Sequence, residues 1–555
     1  YFLSIKKITT KLIKEFFFST SLYNKLLDSK IPSRFFFYPN PYLLSPLLNH
    51  KDLLIKISHE DVRNFWINTL KNKEKKNINN FLWLNLVDRK NESRIIQKII
   101  GEWILQNHKY KKDIWSDGLI SLRIISWISN ADVILNNNQK NFNNTFYKSL
   151  VKQINFVRKN LKNISDENKK ISSISAIILS GLVFREYYSN YKLGLKELKK
   201  LIENFFDKNG FPKNRNFENL VIFVQYFVLI KEWMKGGQEV VPDYLEDIIE
   251  KNLVCLNSLN SPLKKLPLFN GSTEKNLEDF LQYLSKLNYN LKRDLKSVGQ
   301  VQIIKNKKSI LYFDSGEPPM YQFSKDYQSG PLSFEYSNDG DKIITNCGYG
   351  RKISKKIQLL SKFTSAQSTL CINNTSVVKF KKNALVNKAY GSTINNSFKT
   401  FDVDRAEDKT NVIISATHNA YLDKFGYLHK RTIKFFKKNN DIIGNDRLIK
   451  KRKVKVVANY KNLSKSNFIG LSTVMLHKKI LKRIVFPNLK THEDLGLWLK
   501  LCRQGIKLNH LNKSLSSWRK TSNSLSSNTF SKLRDAFFLF YIYENKNFIN
   551  SIYSV

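Results

Sequence analysis

The chain has 555 residues, 42% of them hydrophobic and 13% aromatic, and a formal net charge of +47. That length leaves room for two to four domains of roughly 100–200 residues, and the apolar content excludes disorder on a global scale. The charge suits an anionic polymer or a nucleic acid. However, Lys, Asn, Ile and Phe are abundant everywhere and the lysines form no single block, as a biased coding composition produces.

The opening, YFLSIKKITTKLIKEFFFST, lacks the long apolar centre and small-residue cleavage site of a signal peptide, and it starts at Tyr1 rather than Met. The compartment is therefore left open between cytoplasm and periplasm. No run of about 18 apolar residues occurs, so no membrane span is expected. Cys255, Cys347, Cys371 and Cys502 show no CxxC spacing, which implies neither a disulfide framework nor a zinc site. Cys347 and Cys371 fall in expected strands, as small core residues.

From residue 1 to about 295 the apolar residues recur at helical spacing. LVDRKNESRIIQKIIGEWILQNH places Ile95, Ile96, Ile99, Ile100, Trp103 and Ile104 on one side. ISSISAIILSGLVFREYYSNY, NLVIFVQYFVLIKEWMKG and DYLEDIIEKNLVCLNSL follow the same rule, joined by connections such as GFPKNRN and GGQEVVPD. Helical hairpins in series predict a bundle, toroid or solenoid. Trp103, Trp115, Trp127 and Tyr110 fit either a sugar-stacking cleft or, at that spacing, a core.

Near residue 297 the period changes to 2. VGQVQIIKN, SILYFDSG, LSFEYSN, KIITNCG, STLCINN, TSVVKF, NVIISATHNAYL and YLHKRTIKFF are predicted strands. Asn338, Asp339, Gly340 and Asp341 form the turn of a hairpin. After about residue 453, THEDLGLWLKLCRQG predicts a helix with Thr491 as N-cap and Glu493 and Asp494 in its first turn. KLNHLNKSLSSWRK predicts a strand pair, and residues 529–546 a final amphipathic helix.

LYFDSGEPP (311–319), GPLSFEYS (330–337), NCG (346–348), AQSTLCINNTS (366–376), GYLHKRTIKF (426–435) and GNDRL (444–448) resemble, in order and spacing, the heparinase II/III-like family of the polysaccharide lyases. SLRIISWI, GFPKNRNFENLVIFVQY and PLFNGS match more loosely. The resemblance implies an α+β multidomain chain. An incomplete α/α toroid (1–295) precedes an antiparallel β-sandwich (296–453), and a small mixed α/β fragment (456–555) follows. It implies β-elimination from uronic-acid sugars. An Asn neutralises the sugar carboxylate, Tyr and His act as base and acid, and some relatives hold a metal with His and Asp near the site.

Carried over residue by residue, the implied site is Asn168, Arg215, Asp326, Tyr327, Gln328 and Gln367. Asn168 keeps the family's Asn, but the following His is Lys169. Arg215 keeps an Arg whose accompanying Tyr and His are absent. The family's His-x-His-x-Asp falls on Asp326, Tyr327, Gln328, Ser329 and Gly330, and a further His falls on Gln367. An amide hydrogen-bonds but takes no proton near neutral pH. Asp326 and Tyr327 are candidate substitutes for base and phenol. His418 and His429 are assigned structural roles, and His108 a solvent-facing one.

FIGLSTVMLHKKIL (468–481), FPNLKTHEDLGLWLKLCRQG (486–505) and SLSSWRKTSNSLSS (514–527) resemble the acceptor-side half of family-2 glycosyltransferases, in which Asp494 would be the general base. The donor half is missing: Asp402 and Asp404 have Asp-x-Asp spacing but fall in the sandwich region. The expectation is a fusion near residues 450–460. The leading reading is a lyase-like protein for an acidic polysaccharide, with weak or lost activity and no cofactor or metal. The alternatives are a non-catalytic acidic-glycan binder, a nucleic-acid binder and a glycosyltransferase remnant.

Overall fold

The computed structural model describes residues 2–48, 66, 78–89, 93–135, 139–291, 293–381, 384–451, 458–464, 467, 469–471, 474–483, 485–508 and 529–554. The chain divides into two compact units, residues 1–450 and 451–555.

The first unit begins with helices α1 (Phe2–Phe18), α2 (Ser21–Leu26), α3 (Ser93–Asn107), α4 (Asp117–Ser129), α5 (Lys140–Asn160), α6 (Glu167–Val183), α7 (Tyr188–Phe205), α8 (Phe217–Gly236), α9 (Asp243–Leu259) and α10 (Glu278–Lys286). α6 is the centre of this layer. Residues 171–183 are all buried, as expected of a helix apolar on all sides, and α6 packs on α4, α7 and α8. Glycines permit the closest crossing. A Cβ on Gly181 would overlap the backbone of Tyr191, and one on Gly194 would overlap Ile178. Trp103, Trp115 and Trp127 are buried in this core, and Tyr110 packs against it half-buried, which decides between core and sugar platform for all four.

The strands form two antiparallel sheets. One runs β1 (Ser297–Val298), β2 (Val301–Lys305), β3 (Ser309–Asp314), β4 (Phe334–Asn338) and β5 (Asp341–Ile344) in order. The other runs β6 (Thr400–Glu407), β7 (Asn411–His418), β8 (Tyr427–Phe436) and β9 (Ile442–Lys450). All six residues of β3 are buried, because its alternation serves two cores. Ile310 and Tyr312 join the helical core. Leu311 and Phe313 meet Val412, Ile414, Ile433 and Phe435 of the second sheet. The first sheet is thus the middle layer of a helix–sheet–sheet stack.

Two predicted strands are absent. Residues 368–374 and 375–380 are irregular apart from one bridge, Phe380 to Ile394. Side chains have taken the place of a partner strand: Val377 N–H donates to Thr364 Oγ1 (3.0 Å), Val378 N–H to Ser329 Oγ (3.0 Å) and Lys379 N–H to Asn396 Oδ1 (2.6 Å). β6 lies outside the predicted strands, since none of its 8 residues is buried and charged residues interrupt its alternation. Cys347 is exposed and Cys371 half-buried, both outside strands, which corrects their placement as core residues.

In the second unit, α11 (Glu493–Arg503) carries Glu493 and Asp494 in its first turn. Its N-cap is His492, with φ of 66° and no capping bond. Thr491 instead donates through N–H (2.9 Å) and Oγ1 (3.1 Å) to Asp535, so it is not the cap. The final helix also breaks: α12 (Thr529–Phe538) runs into a π turn at Leu539–Tyr543, and a separate helix spans Phe548–Ser554. Residues 509–528, with most of the predicted strand pair and all of SLSSWRKTSNSLSS, lie outside the described residues.

Candidate functional site

Two helix N-termini meet the loops of the first sheet. Asp166 caps α6 by accepting from Lys169 N–H (3.1 Å), and Asn216 caps α8 by accepting from Asn219 N–H (3.1 Å). Their first turns are tied side by side, since Asn168 Nδ2 donates to Asn219 Oδ1 (3.1 Å). Asn168 Oδ1 is buried and has no protein partner. The positive ends of two helix dipoles therefore lie together.

The PLFNGS loop fills the space beside them. Ser272 Oγ donates to Asn216 Oδ1 (3.3 Å), and Thr273 donates through N–H and Oγ1 to Glu218 (3.2 and 3.0 Å). On the loop's other side, Gly271 N–H donates to Gln328 Oε1 (2.9 Å), and Tyr349 N–H donates to Ser272 O (3.1 Å). Gly271 has φ of 91°, and a Cβ there would stand 2.7 Å from Cβ of Asp326. Only glycine lets the loop pass at that distance.

Across the loop, Lys325 Nζ lies 2.7 Å from Asp166 Oδ2 and 3.8 Å from Glu167 Oε2. Burial would raise the Asp166 carboxyl, but Lys325 and the capping bond outweigh it and hold it below the usual range. Burial raises Glu167, and Asp326 adds to the rise. Asp326 Oδ1 accepts from Tyr349 OH (2.9 Å), which itself accepts from Gln358 Nε2 (2.8 Å). Burial first, then Asp326, pushes the Tyr349 phenol up. Lys362 is buried, with Nζ donating to the carbonyls of Lys325 (2.7 Å) and Ser392 (2.6 Å), and burial brings it down to about 8. Arg351 lies 3.3 Å from Glu218.

Of the candidates from sequence, Asn168, Asp326, Gln328 and Gln367 fall along this one chain of contacts. Gln328 Nε2 donates to Ser361 O (2.8 Å) and Gly348 O (3.0 Å), and Gln367 Nε2 donates to the same Ser361 O (2.8 Å). Arg215 turns away. Its φ is 59°, and its guanidinium binds Asp314, Gly299 O (3.0 Å) and Glu317 O (3.0 Å), which fastens the start of α8 to the first sheet. Tyr327 is buried among Val377, Val378, Phe380 and Phe398, and burial pushes its phenol up. Asp494 lies in the second unit, its carboxylate accepting from Leu495 N–H (2.7 Å). Lys325, Tyr349 and Lys362 carry no sequence motif. Only adjacency to Asp326 marked Lys325, and nothing local marked the other two.

The metal implied by the resemblance does not fit this chain. Gln328 Oε1 is occupied by a backbone N–H, both glutamine nitrogens converge on one carbonyl, and Gly330 has no side chain. A cation needs converging lone pairs, and these are converging donors. Among the described residues no three His, Cys, Asp or Glu gather as a ligand set.

His418 and His429 sit at the rear. Ala420 N–H donates to His418 Nδ1 (3.1 Å), so the neutral ring carries its proton on Nε2 and donates to His429 Nδ1 (3.0 Å). His429 Nε2 then donates to Asp446 (2.7 Å), which Arg431 also grips through Nε and Nη2 (2.8 Å each). Arg431 Nη1 reaches Leu332 O (2.8 Å) and Ser368 O (2.7 Å), which supports the loop carrying Gln367. Burial lowers His418 well below its ordinary value. His108 is exposed.

A helical layer stacked on a two-sheet sandwich, with helix N-termini facing the sheet loops, is a heparinase-like type of architecture. The particular fold is like that of heparinase III, and residues 291–505 are heparinase II/III-like in sequence. Residues 291–505 match the family described as heparinase II/III-like, C-terminal, a span that crosses the division at residue 450. A crystal structure of heparinase III superposes with a TM-score of 0.51 at 14% identity, covering 67% of this chain and 62% of that one. Heparan sulfate lyase HepC from Pedobacter heparinus gives 0.48 at 15%, covering 71% and 64%. The putative teichuronic acid biosynthesis glycosyltransferase TuaG of Bacillus subtilis (strain 168) is 30% identical over 92 residues, 17% of this chain and 36% of that protein. The chain thus spans less than two thirds of each of these relatives.

Proposed function

We propose that this chain binds an acidic polysaccharide at the junction of the α6 and α8 N-termini with the sheet loops, and that its eliminative chemistry is weak or lost. One observation carries the second part: Gln328 and Gln367, where the family resemblance implies histidines, are both committed to Ser361 O. Neither amide transfers a proton, and Gln328 is bonded through both its oxygen and its nitrogen. Two positive helix ends, with Lys325 and Arg351 beside them, support an anionic ligand. Asp326, hydrogen-bonded to Tyr349, is the carboxylate we would expect to act if turnover persists.

The test pairs two measurements on the purified protein with uronic-acid polysaccharides, a neutral glucan and duplex DNA. We expect saturable binding to the uronates with no growth of the unsaturated product's ultraviolet absorbance. Steady product formation that Asp326→Asn abolishes would overturn the loss of chemistry. Equal affinity for DNA, falling steeply with salt, would assign the binding to net charge alone. A glycosyltransferase reading needs a sugar-nucleotide site. Asp402 and Asp404 do not supply it, lying on β6 in the other unit from Asp494.

A further inference from the structure

The N-terminal helical hairpin presents apolar side chains to solvent and lysines beside them. Its inner side is conventional: Tyr23 and Leu27 are buried, and the Phe18 ring packs on Tyr23 (4.8 Å) and Phe156 (5.3 Å). Its outer side is not. Ile5, Leu12, Ile13 and Phe16 recur at i, i+7, i+8 and i+11, which places them on one face of α1, and the last three are 57%, 68% and 75% exposed. Lys6 and Lys11 are exposed on the same helix. Its one acid, Glu15, is paired with Lys112 at 2.9 Å. On α2, Leu22 and Leu26 are exposed one turn apart.

Leu26 is also a wall of a cavity of about 480 Å³ whose other walls include Arg158, Lys159 and Lys162 and no acidic residue. Lys159 Nζ donates to Leu26 O (2.5 Å), which fixes a cation on the cavity wall. The apolar run on α2 therefore ends at a basic cavity within the size range of small-ligand sites.

We propose that this hairpin docks the protein on an anionic phospholipid surface, with Leu12, Ile13 and Phe16 entering the acyl boundary and Arg158, Lys159 and Lys162 taking a phosphate headgroup. α1 is amphipathic and basic, the form of a helix that lies in the interface rather than crossing it. Among the described residues no helix is long and apolar enough to span. A dissolved polyanion would satisfy the lysines and leave Phe16 and Ile13 in water. A second copy would bring another +47 chain against this one.

The experiment is vesicle co-sedimentation of the full chain, with phosphatidylglycerol/phosphatidylcholine mixtures against phosphatidylcholine alone. Pelleting is expected with the anionic vesicles, declining as salt rises, and little is expected with the neutral ones. Leu12→Ser/Phe16→Ser leaves the charge unchanged and should weaken partition by about tenfold or more, at an unaltered melting temperature. Ile13→Ser alone is the milder variant should the double one fold poorly. Arg158→Gln/Lys162→Gln should remove most of the preference for anionic vesicles. Three results would each overturn the proposal: no pelleting at low salt, equal pelleting of the serine variants, or a dimer in light scattering that the same variants dissolve.

Discussion

Replacing Arg215 tests whether this residue is a clamp or a ligand-binding group. Its guanidinium and the Asp314 carboxylate are nearly fully buried, and the same guanidinium donates to Gly299 O and Glu317 O. Arg215→Met keeps the stem and leaves an unpaired buried carboxylate and two carbonyls without their donor. Breaking one side of such a pair costs about 3–5 kcal/mol. Arg215→Met/Asp314→Asn removes the stranded charge, so the double variant should be less destabilised than the single one. The positive φ at 215 is common to both and cancels. Urea unfolding followed by tryptophan fluorescence reads this, because Trp103, Trp127 and Trp233 are buried in the helical core that Arg215 joins to the sheet. Uronate binding by the folded fraction of Arg215→Met should be unchanged. An unshifted midpoint together with lost binding would refute the clamp and return Arg215 to the ligand.

Two further predictions rest on single positions. His418 holds its proton less readily folded than unfolded, where its ordinary value is 6.5, so the unfolded chain takes up a proton below that pH that the folded chain refuses. Stability should therefore fall as pH drops below about 6.5, by up to about 1.4 kcal/mol per pH unit, and His418→Gln should flatten the urea midpoint between pH 7 and 5. Asp446 acts lower. Its carboxyl is held below its ordinary 3.8, so its contribution is present above that pH and lost beneath it, and the two windows separate. Gly181→Ala should lower stability by about 1–3 kcal/mol or more through the α6–α7 crossing, with thermal melting as the readout; an unshifted melting curve would contradict the crossing.

Much of the fold is legible because local period and local burial agree. DYLEDIIEKNLVCLNSL becomes α9, SILYFDSG becomes β3, and residues 338–341 turn the β4–β5 hairpin with Asp339 and Gly340 at positive φ. The misses have physical causes. Val377 and Val378 alternate like a strand, yet hydroxyl groups of Thr364 and Ser329 took their N–H groups. The start of α11 is a miss of the same kind. N-cap preference favours Thr491, but its N–H and hydroxyl are drawn to Asp535, far along the chain.

By itself the sequence determined where helices give way to strands, and that amides stand at positions where the family resemblance implies imidazoles. Only tertiary structure decided what those amides do. Gln328 and Gln367 converge on one carbonyl, Arg215 leaves the candidate site for Asp314, and the first turns of α6 and α8 are tied side by side through Asn168 and Asn219. Periodicity is a property of a few neighbouring residues. Which donor finds which acceptor depends on the path of the whole backbone between them, and no local pattern encodes that path.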